Sequence, residues 1–139
     1  MASKIVRLSD KAGESEKITI NLGYVDLGRI DLLVDDGFYS NRSDFIRTAI
    51  RNQLAGHAET VDKSIVRQTL ELGIRDYRRA DLEALKRAGE KLDIKVVGLA
   101  RIASDVSPEL ARATINRITV LGALQASAEV KAALADRTR

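Results

Sequence analysis

Lys17-Ile18-Thr19-Ile20-Asn21-Leu22 alternates polar and apolar side chains without a break. In an extended chain Ile18, Ile20 and Leu22 share one face and Lys17, Thr19 and Asn21 the other. A single strand leaves both edges unpaired, so it requires a partner strand. The sequence that follows is helical in pattern. Asp26 is a suitable N-cap, Leu27, Ile30, Leu33 and Val34 fall on one helix face, and Gly37 can close the helix in the left-handed conformation. A second helix is expected from an Asn41 cap to about Leu54–Gly56. Its buried stripe would be Phe45, Ile46, Ala49, Ile50 and Leu54, with Arg42, Arg47 and Arg51 turned outward.

One strand and two helices in about forty residues are too few to bury a sufficient core. Two copies resolve this by pairing their strands antiparallel over four helices. Lys17, Thr19 and Asn21 would then face outward twice, as a two-stranded ribbon of a size that fits the DNA major groove.

Residues 17–54 resemble the ribbon-helix-helix DNA-binding proteins of the Arc/MetJ/CopG kind. The resemblance rests on the alternating strand and on Gly37-Phe38-Tyr39-Ser40-Asn41-Arg42-Ser43-Asp44-Phe45-Ile46-Arg47. It implies a homodimer whose outward strand residues, Lys17, Thr19 and Asn21, contact bases. It also implies phosphate contacts at the start of the second helix, at Asn41, Arg42 and Ser43, in keeping with the affinity of helix N-termini for anions. Two features depart from the family pattern: the sixteen residues before the strand, with Lys4, Arg7 and Lys11 in an expected mobile arm, and a strongly acidic first helix carrying Asp26, Asp31, Asp35 and Asp36.

The whole chain has 139 residues, 45% of them hydrophobic, with aromatics at only 4% and no tryptophan or cysteine. The absence of cysteine excludes disulfides, thiolate metal sites and a cysteine nucleophile, and the lone His57 cannot build a multi-histidine site. No nucleophile elbow, phosphate loop or metal-ligand spacing is present. The expectation is a non-enzymatic protein with no catalytic residue, cofactor or metal. No apolar run is long enough to span a membrane and the first eight residues lack a signal-peptide block, so the cytoplasm is the expected location. The net charge of +3 permits DNA binding without arguing for it, since residues 1–56 carry eight basic and eight acidic side chains.

Residues 57–64 read as a linker, and 65–139 as a repeat of about 24 residues. Leu70, Ile94 and Ile118 match at that spacing, as do Leu72, Val96 and Val120, then Asp81, Asp105 and Glu129, then Leu82, Val106 and Val130. Gly98 matches Gly122, and Leu110 matches Leu134. Each copy opens on a period-2 segment whose inner phase is read as Val66, Leu70, Leu72 and Ile74; Ile94, Val96, Ala100 and Ile102; and Ile118, Val120, Leu124 and Ala126. In the first copy Val66, Leu70, Ile74 and Tyr77 also fit helical spacing. Helices are expected at roughly 80–91, 107–116 and 128–137, with Ser107 and Ser127 as caps and Pro108 in the first turn.

The resulting expectation is an α+β chain with an arm (1–16), a dimeric ribbon-helix-helix domain (17–56), a linker (57–64) and a short solenoid-like stack of parallel strands and helices (65–139). Its partners would be double-stranded DNA and itself, as a homodimer through the ribbon and as a tetramer or larger assembly through 65–139. A small ligand or partner protein is open for the second half. The function read from these features is a sequence-specific transcriptional regulator, most simply a repressor. A plasmid-partition or architectural protein and an antitoxin are the alternatives.

Overall fold

A computed structural model describes residues 13–139, which divide into two compact units at about residues 61 and 62. Lys4, Arg7 and Lys11 lie outside the described residues.

The first unit contains α1 (Tyr24–Asp35) and α2 (Arg42–Gly56). The α1 cap is Gly23 rather than Asp26, which instead lies in the first turn, where a carboxylate favours the helix dipole. The end of α1 follows the expectation. Gly37 takes φ +85°, and the N–H groups of Gly37 and Phe38 donate to the Val34 and Leu33 carbonyls at 3.0 Å each. Asn41 caps α2, its Oδ1 accepting from the Asp44 N–H at 2.8 Å. Asp44 in turn accepts from the Ser40 N–H at 2.9 Å, and Tyr39 meets Phe45 edge-to-face at 5.0 Å.

Residues 57–64, expected as a linker, largely form the start of a third helix, α3 (Ala58–Gln68). Val66 therefore belongs to this helix and not to a strand, so its helical spacing prevails over its period-2 alternation. The helix ends at Thr69, which adopts φ +52° as the Leu70 N–H donates to the Ile65 carbonyl.

The second unit continues with β1 (Glu71–Tyr77), α4 (Arg79–Ala88), β2 (Leu92–Ile102), α5 (Pro108–Thr114), β3 (Ile115–Gln125), α6 (Ala128–Ala133) and a 3₁₀ turn at Ala135–Arg137. The strands form one sheet, all parallel, in the order β1-β2-β3. Strand and helix thus alternate three times, and the helices lie against one face. Leu82 of α4, Leu110 and Ala111 of α5, and Val130 of α6 enclose Ile94, Val96, Ala100 and Ile102 of β2 with Ile115 and Ile118 of β3. The Ser107 and Ser127 hydroxyls cap α5 and α6 as expected. The three helices are shorter than the sequence suggests. Thr114, fully buried at the α5–β3 junction, donates its hydroxyl to the Leu110 carbonyl at 2.8 Å and so leaves no polar atom unpaired.

The register corrects the 24-residue reading of the first copy. β2 and β3 pair at a spacing of 24, Ile94 with Ile118 and Gly98 with Gly122, but β1 pairs with β2 at 25, Leu72 with Val97 and Gly73 with Gly98. The positions Leu82, Val106 and Val130, at or just before the helices, keep the 24-residue spacing and are all buried. The first copy therefore holds one extra residue between its strand glycine, Gly73, and its buried Leu82. A slip of one residue exchanges the faces of a strand. Leu72 and Ile74 consequently lie on the side away from the helices, 69% and 47% exposed, and Tyr77 is the β1 side chain that packs on the core.

Gly73, Gly98 and Gly122 stand side by side across the three strands, all with positive φ, +127°, +135° and +120°. A Cβ at Gly98 would lie 2.2 Å from the Gly73 carbonyl oxygen, and one at Gly122 would lie 2.1 Å from that of Gly98. Both backbone conformation and space demand glycine at these two positions. Gly73 has the same φ but nothing within 4 Å of its Cβ position. Gly98→Ala and Gly122→Ala should each cost more than about 3 kcal/mol, and Gly73→Ala about 1–3 kcal/mol from backbone strain alone. Urea denaturation of the three variants checks the order.

Candidate nucleic-acid interface

Residues 17–23 precede α1 and form no strand among the described residues. Lys17, Thr19 and Asn21 are exposed, as the base-contacting assignment requires. Their apolar neighbours are exposed as well, Ile18 at 80% and Ile20 at 61%. Alternation in sequence is therefore not yet alternation in burial.

What Ile20 and Leu22 adjoin is informative. Together with Ile30 and Leu33 of α1 and Phe45, Ile46, Ala49 and Ile50 of α2 they line an apolar groove of about 390 Å3. Of the expected α1 stripe, Ile30 is buried and Leu27, Leu33 and Val34 are partly covered. On α2 only Phe45 and Ile46 are partly covered, while Ala49, Ile50 and Leu54 remain exposed, against the expectation of a buried stripe. The first unit thus leaves apolar surface of both helices open to solvent.

At the start of α2, Asn41, Arg42 and Ser43 are all exposed. The Arg42 and Ser43 N–H groups belong to the first turn, which has no carbonyl acceptor within the helix. The Arg42 side chain is already engaged. Its guanidinium grips Asp31 of α1 through two hydrogen bonds of 2.8 Å, Nε to Oδ1 and Nη2 to Oδ2. Arg42 thereby fastens α1 to α2, a role that spacing alone could not assign because the partners are eleven residues apart. The bidentate hydrogen bond from Arg42 holds the Asp31 carboxyl below its ordinary value.

Residues 13–131 match the ribbon-helix-helix transcriptional regulator family. The chain belongs to this family. Membership makes it a DNA-binding protein of the transcription-regulator type. The match extends far beyond residues 17–54, where the sequence resemblance stops, and takes in the parallel sheet, so the sheet is part of this kind of ribbon-helix-helix protein. No significant match was found among curated proteins or among solved structures. Among the described residues, no helix is long and apolar enough to cross a membrane.

The Asp31–Arg42 pair gives a pH dependence with a definite sign. Because the folded carboxyl is shifted downward, the contribution of the pair is complete above the ordinary aspartate range and is lost as pH falls through the lowered value. Being exposed, the pair contributes modestly and less at high salt. Acid titration of stability in low salt should show a component at the acid end that Asp31→Asn removes. An unchanged acid limb in that variant contradicts the assignment.

Proposed function

We propose that this ribbon-helix-helix protein is a sequence-specific transcriptional repressor that reads DNA as a homodimer. The observation that carries the reading is the open apolar groove flanked by an alternating segment with no partner strand among the described residues. A second copy closes both deficits. Its residues 17–22 pair antiparallel with the first, turning Ile18, Ile20 and Leu22 inward over the helices. Lys17, Thr19 and Asn21 of both copies then form the outer face of a ribbon that enters the major groove.

In this arrangement Lys17 donates to guanine O6 or N7, and Asn21 bonds adenine in bidentate fashion. The Arg42 and Ser43 N–H groups at the start of α2, with the Asn41 side chain beside them, hold a backbone phosphate. Arg42 contributes charge there while remaining fastened to Asp31. The two-fold axis of the ribbon calls for a palindromic or near-palindromic operator. The role requires no catalytic step, metal or cofactor.

The test is binding of the full-length protein to DNA from upstream of its own gene, titrated against random DNA at several salt concentrations. Asn21→Ala should cost about 1–3 kcal/mol on the operator and relax the preference at one base position per half-site. Arg42→Ala should weaken binding to all sequences alike and reduce the salt slope. Equal effects of the two substitutions on operator and random DNA would overturn the division of roles.

A further inference from the structure

A three-stranded sheet has two edges, and an unpaired edge is a template for another strand. The two edges here are unlike. Along the outer edge of β1, Glu71 to Asp76 are all exposed, and no strand pairs with them on that side among the described residues. The outer edge of β3 is covered only at its start. The Ile115 carbonyl accepts from the Arg137 guanidinium at 2.8 Å, and the Ile118 carbonyl accepts from the Arg139 N–H at 2.9 Å beside the Ile118–Thr138 bridge. Beyond Ile118 no strand pairs with this edge among the described residues.

The glycine row makes the two edges complementary. The space left by the missing Gly98 side chain is filled by the Gly73 carbonyl, and that at Gly122 by the Gly98 carbonyl. The row therefore begins with an unfilled space at Gly73, where nothing lies within 4 Å, and ends with a Gly122 carbonyl that has no further strand to enter.

We propose that the β1 edge binds the β3 edge of a second copy, so that the parallel sheet continues from one chain into the next with the Gly122 carbonyl of one copy seated at Gly73 of the other. Like edges do not complete the row. Two β1 edges bring two open spaces and no carbonyl to fill them, since the Gly73 carbonyl is already turned to β2. Two β3 edges bring two carbonyls and no space. Two further matches follow once Gly73 is set opposite Gly122. Residues 71–77 of β1 then face 120–126, the stretch of the β3 edge that the chain end leaves clear just after Ile118. Leu72 also falls opposite Leu121, and these side chains, 69% and 54% exposed in one copy, become cross-strand neighbours. Each copy offers one edge of each kind, so the contact is head-to-tail and either closes a ring or extends a row. It uses no residue of the ribbon, and its failure would leave the repressor reading standing.

The chain has no cysteine, so introduced cysteines report the contact without background. Full-length protein carrying Leu72→Cys and Leu121→Cys together is oxidised and run on a denaturing, non-reducing gel, where ribbon contacts no longer hold chains together. Within one chain β2 separates the two positions by about 9.6 Å, beyond the roughly 7 Å that a disulfide can span. The proposal requires reductant-sensitive species of two or more chains from this pair. Each single variant should crosslink about tenfold less, as should the displaced pair Leu72→Cys with Gln125→Cys, which lies about 13 Å out of register. Species that stop at two chains show a closed ring of two copies and a longer ladder shows a larger ring or an open row; both support the contact. A Leu72→Cys, Leu121→Cys chain that stays monomeric overturns the proposal. So does equal crosslinking of a single variant, which would join like edges, or of the displaced pair, which would remove the register. If circular dichroism shows that the first pair has unfolded, Ile74→Cys with Ala123→Cys, opposite one another in the same register, takes its place and is compared with its own single variants.

Discussion

Backbone hydrogen bonds cannot be left unmade at low cost, and residues 17–23 have no strand partner among the described residues. The first unit is organised around that deficit. The apolar side of the segment adjoins an open groove between α1 and α2, the helix faces beneath are only half covered, and the polar side carries three groups able to bond bases. Each feature alone would be an exposed liability. In the proposed dimer they are accounted for together, a second copy completing the surface and creating the DNA-reading face as it does so.

The helices that support the segment are fixed by short-range chemistry. Gly37 ends α1, Asn41 starts α2, and the Arg42 fork on Asp31 holds the two together across the turn. This places a residue of the proposed phosphate site in a structural role as well. The second unit rests on a different constraint. Three glycines stand abreast across the strands, and at two of them, Gly98 and Gly122, a Cβ would strike the neighbouring carbonyl. The parallel sheet is thus tied to a backbone conformation that other residues adopt only under strain.

The sequence makes the first unit legible because its signals are local. Alternation at 17–22, the glycine and Asn41 punctuation, and the Asn-Arg-Ser string all act over a few residues, and both helices lie close to where these place them. The Asp31–Arg42 pair was not legible, since nothing in spacing links the two. In the second unit the parallel strands, the serine caps and the buried positions Leu82, Val106 and Val130 could be read from the repeat. The phase of β1 could not be read by aligning on those buried positions, because one extra residue separates Gly73 from Leu82 in the first copy. The usable signal was Gly73, which lies 25 residues before Gly98 as Gly98 lies 24 before Gly122. Aligning on glycines, whose positions are set by backbone geometry, would have turned Leu72 and Ile74 to the correct face. The 57–64 segment misled because its polar composition resembles a linker, whereas α3 is amphipathic and continues through it.

The central claim, that residues 17–22 pair with the same residues of a second copy, is tested most directly by amide hydrogen exchange of the full-length protein resolved to single residues. In a two-stranded antiparallel ribbon only alternate residues direct their N–H groups to the partner. The account predicts slowed exchange at every second residue of 17–22, lost on dilution below the dimer dissociation constant. Fast exchange at all six residues, at concentrations where the protein is a dimer or larger, would contradict it.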